Sequence, residues 1–470
     1  ALALERPNFV LLIVDDVSPE DLGCYGCVPA KTPRIDELAA EGLRFGNAYL
    51  VASSCSPSRN SIITGRYPHN HGAPELHTTL PLDQVTFVQL LREAGYHTVI
   101  SGKNHMSNKR EADTLGFSVE SLGKGPGRQE DWVELLASRP EGKPFFFWFA
   151  STDAHRKWDF DEETPRFDPE EMEIPPFLYD GPRTRADFAD YFHEVTRMDT
   201  YVGRVRDELK RQGVEENTWI IFMADNGRAF PRSKTRLYDS GIKTPFIVCA
   251  PGRVEPGVTG SFISAIDLSA SLLELARIEK PETVQGVSFV PILEDPDAET
   301  RNVVFSEHNW HVNFAHERMV RYGDWLYIRN SFPELQSMCD EQSRAYPTGE
   351  ELWDMEEAGK LDPATQRDIF LVPRPEDELY RVSSDPHQMT NLAGKPEQSA
   401  QLGIMKALLN RWVEETGDSV SEDPTPDRVY IDGKKVQPQP RGIRPGESRN
   451  AESINAPGPV MVESDFGESR

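Results

Sequence analysis

The stretch Asn8-Phe9-Val10-Leu11-Leu12-Ile13-Val14-Asp15-Asp16 is an unbroken apolar run that ends in two carboxylates. Strands buried on both faces of a parallel sheet show this continuous pattern, because neither of their faces meets water. Polar side chains then appear only where the strand ends. We therefore predict a buried parallel strand over residues 8–14, with Asp15 and Asp16 at its carboxyl end.

Similar apolar runs recur along the chain and alternate with segments of helical periodicity. The further predicted strands are His97–Ser101, Phe145–Ala150, Trp219–Met223 and Phe246–Cys249. The predicted helices are a segment behind Thr32-Pro33 that includes Ile35, Leu38, Ala39 and Leu43, then Phe87–Glu93, Ala186–Arg211 and Ile266–Ala276. Strands that alternate with helices favour an α/β fold, with a mostly parallel sheet covered by helices on both faces. Ligands bind such sheets beyond the carboxyl ends of the strands.

The pattern changes at about residue 302. Met319–Ile328 and Glu378–Tyr380 predict a small antiparallel sheet, and Gln398–Val413 predicts a helix that covers it. After Gly417 the chain is rich in Pro, Gly, Asp and Glu, which predicts an irregular tail laid over the surface or partly disordered. We therefore predict a large catalytic domain over residues 1–301, a smaller subdomain over 302–416 and a tail over 417–470.

The composition narrows the classes of function. The 470 residues carry a formal net charge of −26, which argues against nucleic-acid binding because phosphate recognition needs clustered Lys and Arg. No apolar run reaches the ~18 residues of a membrane-spanning helix, and we expect that a signal peptide was either removed from the sequence shown or never existed. Five cysteines are too few for a disulfide scaffold, so Cys24 and Cys27 are interpreted as two structural thiols or a loop disulfide.

A second informative stretch is Ser54-Cys55-Ser56-Pro57-Ser58-Arg59, followed by a segment that ends in Thr64-Gly65-Arg66. Pro57 has the backbone angle of a first helical turn, and Gly65 suits the residue that ends a helix. We therefore predict a helix with Cys55 at its N-terminus. Free N–H groups and the helix dipole favour an anion at that position.

Oxygen-bearing side chains follow two of the predicted strands. Asp15 and Asp16 end the first strand, and Asp225-Asn226-Gly227 comes directly after Trp219–Met223. Carboxylate and amide oxygens suit a hard cation such as Ca²⁺ or Mg²⁺. The sequence therefore predicts a cation site at the carboxyl edge of the sheet.

The pattern Cys-x-Pro-x-Arg at residues 55–59, with Thr64-Gly65-Arg66 behind it, resembles the signature of the type I sulfatases. The resemblance implies an alkaline-phosphatase-like α/β sandwich with a smaller C-terminal domain. It also implies that a maturation enzyme oxidises Cys55 to formylglycine, whose hydrate attacks the sulfur of a sulfate ester or sulfamate. The Ca²⁺ ligands that it implies are Asp15, Asp16, Asp225, Asn226 and an oxygen of the modified Cys55.

The same resemblance implies roles for five further residues. Gly102-Lys103-Asn104-His105 is similar to a family element in which Lys103 binds a sulfate oxygen and His105 holds or deprotonates the formylglycine hydroxyl. His155 would contact the sulfate and protonate the leaving atom, although the proline that often precedes this histidine is absent. Lys234 would be the second sulfate-binding lysine, and Arg59 would bind the hydrated aldehyde.

Within the family the chain looks closest to the sulfamidase, or heparan N-sulfatase, branch. The residues that carry this likeness are Ser53–Arg59, Ala224–Gly227 with Phe230-Pro231, Leu237-Tyr238, Glu378–Tyr380, Asp385–His387 and Asn391-Leu392. The implied substrate is a sulfated saccharide, with N- and O-sulfation left open. Glu307, His308 and His311 follow a predicted strand over Asn302–Ser306 and are candidates for sugar contacts.

Two other functions stay open from the sequence. One is a phosphodiesterase or phosphonate monoester hydrolase of the same superfamily, and the other is a glycan-binding relative without catalysis. Retention of both lysines, both histidines and all four metal-ligand positions speaks against the second. The family inference places the protein in the periplasm or outside the cell, and the sequence says nothing of its oligomeric state.

Overall fold

The computed structural model describes residues 6–106, 112–437 and 440–463. Eight strands form one large sheet, in the order β4-β3-β5-β1-β6-β7-β2-β8. Their bounds are β1 Asn8–Val14, β2 Leu43–Tyr49, β3 His97–Gly102, β4 Val119–Ser121, β5 Phe145–Ala150, β6 Thr218–Ala224, β7 Phe246–Cys249 and β8 Gly257–Ser264. Only β7 runs antiparallel to its neighbours, so the sheet is mixed and mostly parallel, as predicted.

Helices cover both faces of this sheet. They are α1 Pro33–Glu41, α2 Cys55–Thr64, α3 Phe87–Glu93, α4 Ala112–Leu115, α5 Trp132–Ala137, α6 Pro182–Arg211, α7 Asp239–Ile242, α8 Asp267–Leu275, α9 Val290–Glu294, α10 Pro347–Glu357 and α11 Ser399–Thr416. The side chains of β1 alternate between two separate cores: Phe9, Leu11 and Ile13 pack on one face, and Val10, Leu12 and Val14 on the other. This double burial is why the opening stretch has no polar alternation.

A second sheet of four antiparallel strands lies in the C-terminal part, in the order β12-β11-β10-β9. Its strands are β9 Val303–His308, β10 Glu317–Tyr322, β11 Trp325–Asn330 and β12 Asp377–Arg381. Helix α11 covers it, with Leu408, Leu409 and Trp412 in the shared core. The predicted segment Met319–Ile328 is thus two strands, joined by a turn at Gly323 with φ of 53°.

Three strands were missing from the sequence prediction. Leu43, which continues the helical spacing of α1, instead begins β2 after the chain turns at Gly42. Strands β4 and β8 lie at the two edges of the large sheet, where side chains need not be uniformly apolar. Edge strands therefore lack the pattern that made the central strands recognisable.

The described part of the tail lies on the body of the protein rather than apart from it. The guanidinium of Arg318 on β10 makes two hydrogen bonds to the carboxylate of Asp418, at 2.6 and 2.8 Å, and both side chains are buried. Asn302 N–H donates to the carbonyl of Val460 at 3.1 Å. The domain limits at residues 301 and 416 stay predictions, since α10 packs on α6 and β9 lies beside β8. Among the described residues, no helix is both long and apolar enough to cross a membrane.

Candidate active site

The polar residues predicted from the sequence meet at the carboxyl edge of the large sheet. Asp15 and Asp16 follow β1, Lys103 follows β3, His155 follows β5, and Asp225 follows β6. Helix α2 begins at the same edge with Cys55. Parallel neighbouring strands end side by side, which is why residues more than two hundred positions apart come together here.

Cys55 is the first residue of α2 and is buried, with 2% of its surface exposed. Its Sγ lies 3.9 Å from Oδ1 of Asp15. Burial raises the pKa of the thiol to about 12 even though Lys103 and Lys234 lower it, so unmodified Cys55 is a neutral thiol. The helix ends at Gly65, whose φ of 68° suits glycine; a Cβ there would also lie 2.1 Å from Oγ of Ser269.

Two carboxylates lie close to the Cys55 sulfur, and a third carboxylate and one amide are hydrogen-bonded to Asp16. One oxygen each of Asp15 and Asp16 and the sulfur of Cys55 lie within 4.8 Å of one another. Asp16, with φ of 55°, donates its backbone N–H to Oδ1 of Asp225 at 3.3 Å. The amide nitrogen of Asn226 donates to Asp16, while its Oδ1 is buried without a hydrogen-bond partner.

This donor set fits a hard divalent cation. The unpartnered Asn226 oxygen is the decisive atom, because a buried oxygen without a donor costs free energy that a bound cation would recover. All-oxygen ligands with several carboxylates are typical of Ca²⁺ or Mg²⁺ sites. The structure thus brings all four predicted metal ligands together.

Three basic side chains balance the three carboxylates. Arg59 Nε donates to Asp225 at 2.8 Å and its Nη1 to the carbonyl of Lys103 at 3.0 Å. The ammonium of Lys103 contacts Asp15, and that of Lys234 lies 2.7 Å from Oδ2 of Asp16. Burial alone would lower the pKa of each base, but the neighbouring carboxylates outweigh it and raise all three pKa values.

Burial and the same bases lower the pKa values of both predicted histidines. His105 has φ of 47°, and burial, followed by the charge of Lys103, lowers its pKa far below the ordinary value. The surrounding protein, followed by the charges of Lys234 and Lys103, also lowers the pKa of His155, even though this residue keeps an exposed surface. Nε2 of His105 lies 2.8 Å from Nδ1 of His77, and Nδ1 of His105 is buried without a partner.

A cavity of about 880 Å³ opens over this edge of the sheet. Asp15, Lys103, His105 and His155 line it on the side of the site. The residues that also line it include Glu120, Leu122, Arg128, Lys157, Asp159 and Glu194. The space is much larger than a sulfate-sized anion and suits a ligand of drug-like or saccharide size.

Two of the three candidates for sugar contacts lie elsewhere than predicted. β9 continues through Glu307 and His308, which are buried strand residues rather than loop residues. Glu307 pairs with Nδ1 of His69 at 2.8 Å, and His308 Nδ1 lies 3.1 Å from Glu317. Neither lines the cavity, so their surroundings indicate a packing role. His311 lies nearer the site, since its Nδ1 is 2.7 Å from Oγ of Ser54, the residue before Cys55.

Two residues near the site were not predicted from the sequence. His77 contacts His105, and Glu341 lies 3.5 Å from Nζ of Lys234 with its other carboxylate oxygen unpartnered. Both sit in segments without periodicity or recognisable motif. Only the tertiary fold brings them to the sheet edge. The five cysteines are all free, so Cys24 and Cys27 are two thiols and not a loop disulfide.

Comparison with known proteins gives a consistent family. A model named Sulfatase matches residues 7–278, and one for the C-terminal part of N-sulphoglucosamine sulphohydrolase matches residues 232–326. Human N-sulphoglucosamine sulphohydrolase is 30% identical over 462 residues, covering 89% of this chain and 92% of the relative. An ulvan-active sulfatase of Formosa agariphila is 28% identical over 478 residues, covering 89% of this chain and 76% of the relative.

The fold also has solved counterparts. A protein solved in complex with its substrate, D-glucosamine-2-N,6-O-disulfate, superposes with a TM-score of 0.66 at 20% identity, covering 87% of this chain and 98% of the other. This likeness confirms the alkaline-phosphatase-like sandwich expected from the sequence. The chain belongs to the sulfatase family and is a hydrolase of sulfuric esters or sulfamates.

Proposed function

We propose that this protein removes a sulfuryl group from a sulfated saccharide with a formylglycine made from Cys55 and a bound divalent cation. The observation that carries the proposal is the meeting of Cys55, Asp15 and Asp16 within 4.8 Å at the start of a helix. A neutral, buried thiol with pKa near 12 is a poor nucleophile, so the unmodified side chain does not explain the site.

Ca²⁺ is the cation that we propose, held by Asp15, Asp16, Asp225 and Asn226 with an oxygen of modified Cys55. When bound, it would lower the pKa of a hydroxyl on the formylglycine hydrate and so supply a nucleophile at neutral pH. Three carboxylates pair with Arg59, Lys103 and Lys234, so the charges of these six side chains cancel. A divalent cation and an anionic sulfuryl group can therefore enter together without leaving a large net charge.

The bases of the site are arranged to receive the sulfuryl group. The ammonium group of Lys103 pairs with Asp15, and that of Lys234 pairs with Asp16. Both lysines are charged. Sulfuryl transfer spreads negative charge over the sulfur-bound oxygens, which such fixed cations and the free N–H groups of α2 stabilise. We assign both lysines to these oxygens.

Proton transfers fall to two histidines. His155 lines the cavity and would protonate the leaving atom as a general acid. His105 would hold the hydroxyl of modified Cys55 through its free Nδ1. Arg59, fixed between Asp225 and the carbonyl of Lys103, would bind the hydrate and hold the metal carboxylates apart from one another.

For the substrate we propose a terminal glucosamine-type unit, N-sulfated or O-sulfated. Support comes from the 30% identity to human N-sulphoglucosamine sulphohydrolase and from the match to the C-terminal model of that protein. The cavity over the sheet edge, walled by the 120–128 and 152–159 segments, admits a chain end more easily than a mid-chain unit. Action would require a maturation enzyme for Cys55, and we propose a periplasmic or extracellular site of action.

A panel of substrates tests the proposal. Protein made together with a formylglycine-generating enzyme is given N-, 2-O-, 3-O- and 6-O-sulfated glucosamine saccharides, an aryl sulfate and an aryl phosphodiester, and released sulfate or phenol is measured. We expect sulfate release from at least one sulfated sugar, with loss of activity in Cys55→Ala and after chelation, and recovery with Ca²⁺. Preference for the phosphodiester would favour a phosphodiesterase, and no turnover of any substrate by formylglycine-containing protein would favour a glycan-binding role.

A further inference from the structure

The contact between His77 and His105 is the only approach of two imidazole nitrogens at hydrogen-bond distance among the described residues of the site. Nε2 of His105 lies 2.8 Å from Nδ1 of His77, and the ring centroids are 4.8 Å apart. Both rings line the cavity. Because the surroundings lower the pKa of each ring, both are neutral and one must donate its single N–H to the other.

The charges around His105 decide which ring donates. The groups that face it are Lys103 and Arg59, which are cationic, together with His77 and His155. Its Nδ1 is buried and has no partner. A proton on that nitrogen would be a buried donor without an acceptor, pointing into a region of positive charge. A lone pair there is stabilised by the same charge, so the proton belongs on Nε2, where His77 can accept it.

His77 and its two neighbours are held in place by groups from two other parts of the chain. Its backbone N–H donates to Oγ of Ser56 at 2.8 Å, next to Cys55, and its φ is 61°. On either side, Leu76 and Thr78 contact the guanidinium of Arg441 from the tail. The charged groups near the His77 ring are Arg428, Arg441 and Lys435 of the tail and Lys103 after β3. Burial, followed by these cations, lowers the pKa of His77, so its Nδ1 lone pair remains an acceptor.

We propose that His77 is a positioning residue that keeps the proton of His105 on Nε2 and so leaves Nδ1 free as an acceptor for the nucleophile. The proposal rests on the proposed function for its catalytic consequence, but the tautomer itself exists without any reaction. The tail thereby gains a role at the active site, because Arg441 fixes the segment that carries His77.

The test separates the acceptor from the shape of the side chain. His77→Asn keeps an acceptor oxygen near the position of Nδ1, whereas His77→Gly has no side-chain acceptor. Both Asn and Gly tolerate the positive φ of this residue. His97→Asn, at the opposite end of β3, is the matched control. Protein labelled with ¹⁵N-histidine shows the His105 tautomer directly by NMR, with the signals assigned by their loss in His105→Gln.

We expect a protonated Nε2 and a bare Nδ1 for His105 in the parent protein and in His77→Asn, and mixed tautomers in His77→Gly. With an aryl sulfate, His77→Gly should lower kcat about 10–100-fold, as loss of an orienting partner typically does, with KM little changed. His77→Asn and His97→Asn should stay within about threefold of the parent. A proton on Nδ1 in the parent, or a His105 spectrum unchanged by His77→Gly, would overturn the proposal whether or not the protein has sulfatase activity.

Discussion

Replacing Arg59 by methionine should destabilise the folded protein, because it leaves the buried carboxylate of Asp225 without its partner. Arg59 and Asp225 are both 0% exposed and are joined at 2.8 Å. Removal of one partner from a buried ion pair typically costs about 3–5 kcal/mol, because the remaining charge is uncompensated. Asp225 would keep the backbone N–H of Asp16 at 3.3 Å and the field of Lys103 and Lys234, so we expect the lower end, about 3 kcal/mol.

The pH dependence identifies the carboxylate as the cause. Burial already raises the pKa of Asp225 above its ordinary value with Arg59 present, and we expect loss of Arg59 to raise it further. A carboxyl that binds its proton more tightly when folded makes stability fall as pH rises above the unfolded pKa. The destabilisation by Arg59→Met should therefore be large at pH 7 and shrink towards about pH 4, where Asp225 is protonated.

Urea denaturation in the presence of EDTA, followed by circular dichroism, measures this difference without bound cations. Asp225→Asn in the Arg59→Met background should recover about half of the lost stability, since it removes the unpaired charge. A loss of less than about 1 kcal/mol at pH 7, or a loss that grows as the pH falls, would refute the reasoning.

Three further outcomes are expected. kcat/KM should fall as the pH rises through a pKa below the ordinary 6.5 of histidine, because His155 acts in its protonated form and its pKa is lowered. The pH profile of His155→Gln should not show this fall. Unmodified Cys55 should resist iodoacetamide at pH 8 in the folded protein and react fully in urea, because burial keeps it a neutral thiol; rapid labelling of the native protein would contradict this. Arg318→Met should cost about 3–5 kcal/mol in denaturant unfolding by leaving Asp418 unpaired. Arg411→Met should cost under about 1 kcal/mol, because Arg411 is exposed and its partner Glu415 is only partly buried.

The sequence predicted the centre of the fold well and its periphery poorly. The bounds of β1, β5 and β7 agree with the apolar runs, because strands buried on both faces select apolar residues at every position. The helix spacing that included Leu43 failed, because Leu43 lies on a strand and packs in a different core from Ile35, Leu38 and Ala39 of α1. When an apolar residue just beyond a helix end keeps the helical spacing, the sequence pattern does not show whether it belongs to the helix or to the next strand.

The site divides in the same way. Residues that directly follow a central strand, such as Asp15, Lys103 and Asp225, could be placed together from the sequence alone, because the topology fixes where strands end. Glu307 could not, because one residue more of β9 turns a loop candidate into a buried partner of His69. His77 reaches the site through a segment without regular structure, and no local pattern predicts such a contact.

The chemical state of Cys55 in an active preparation tests the central claim most directly. Protein made with a formylglycine-generating enzyme is unfolded, alkylated and digested, and the peptide that contains Cys55 is analysed by mass spectrometry beside an assay of sulfate release. We expect a peptide lighter than the thiol form by the difference between H₂S and O, in a fraction that rises in proportion to activity across preparations. Full activity in protein whose Cys55 is entirely alkylated as a thiol would contradict the account.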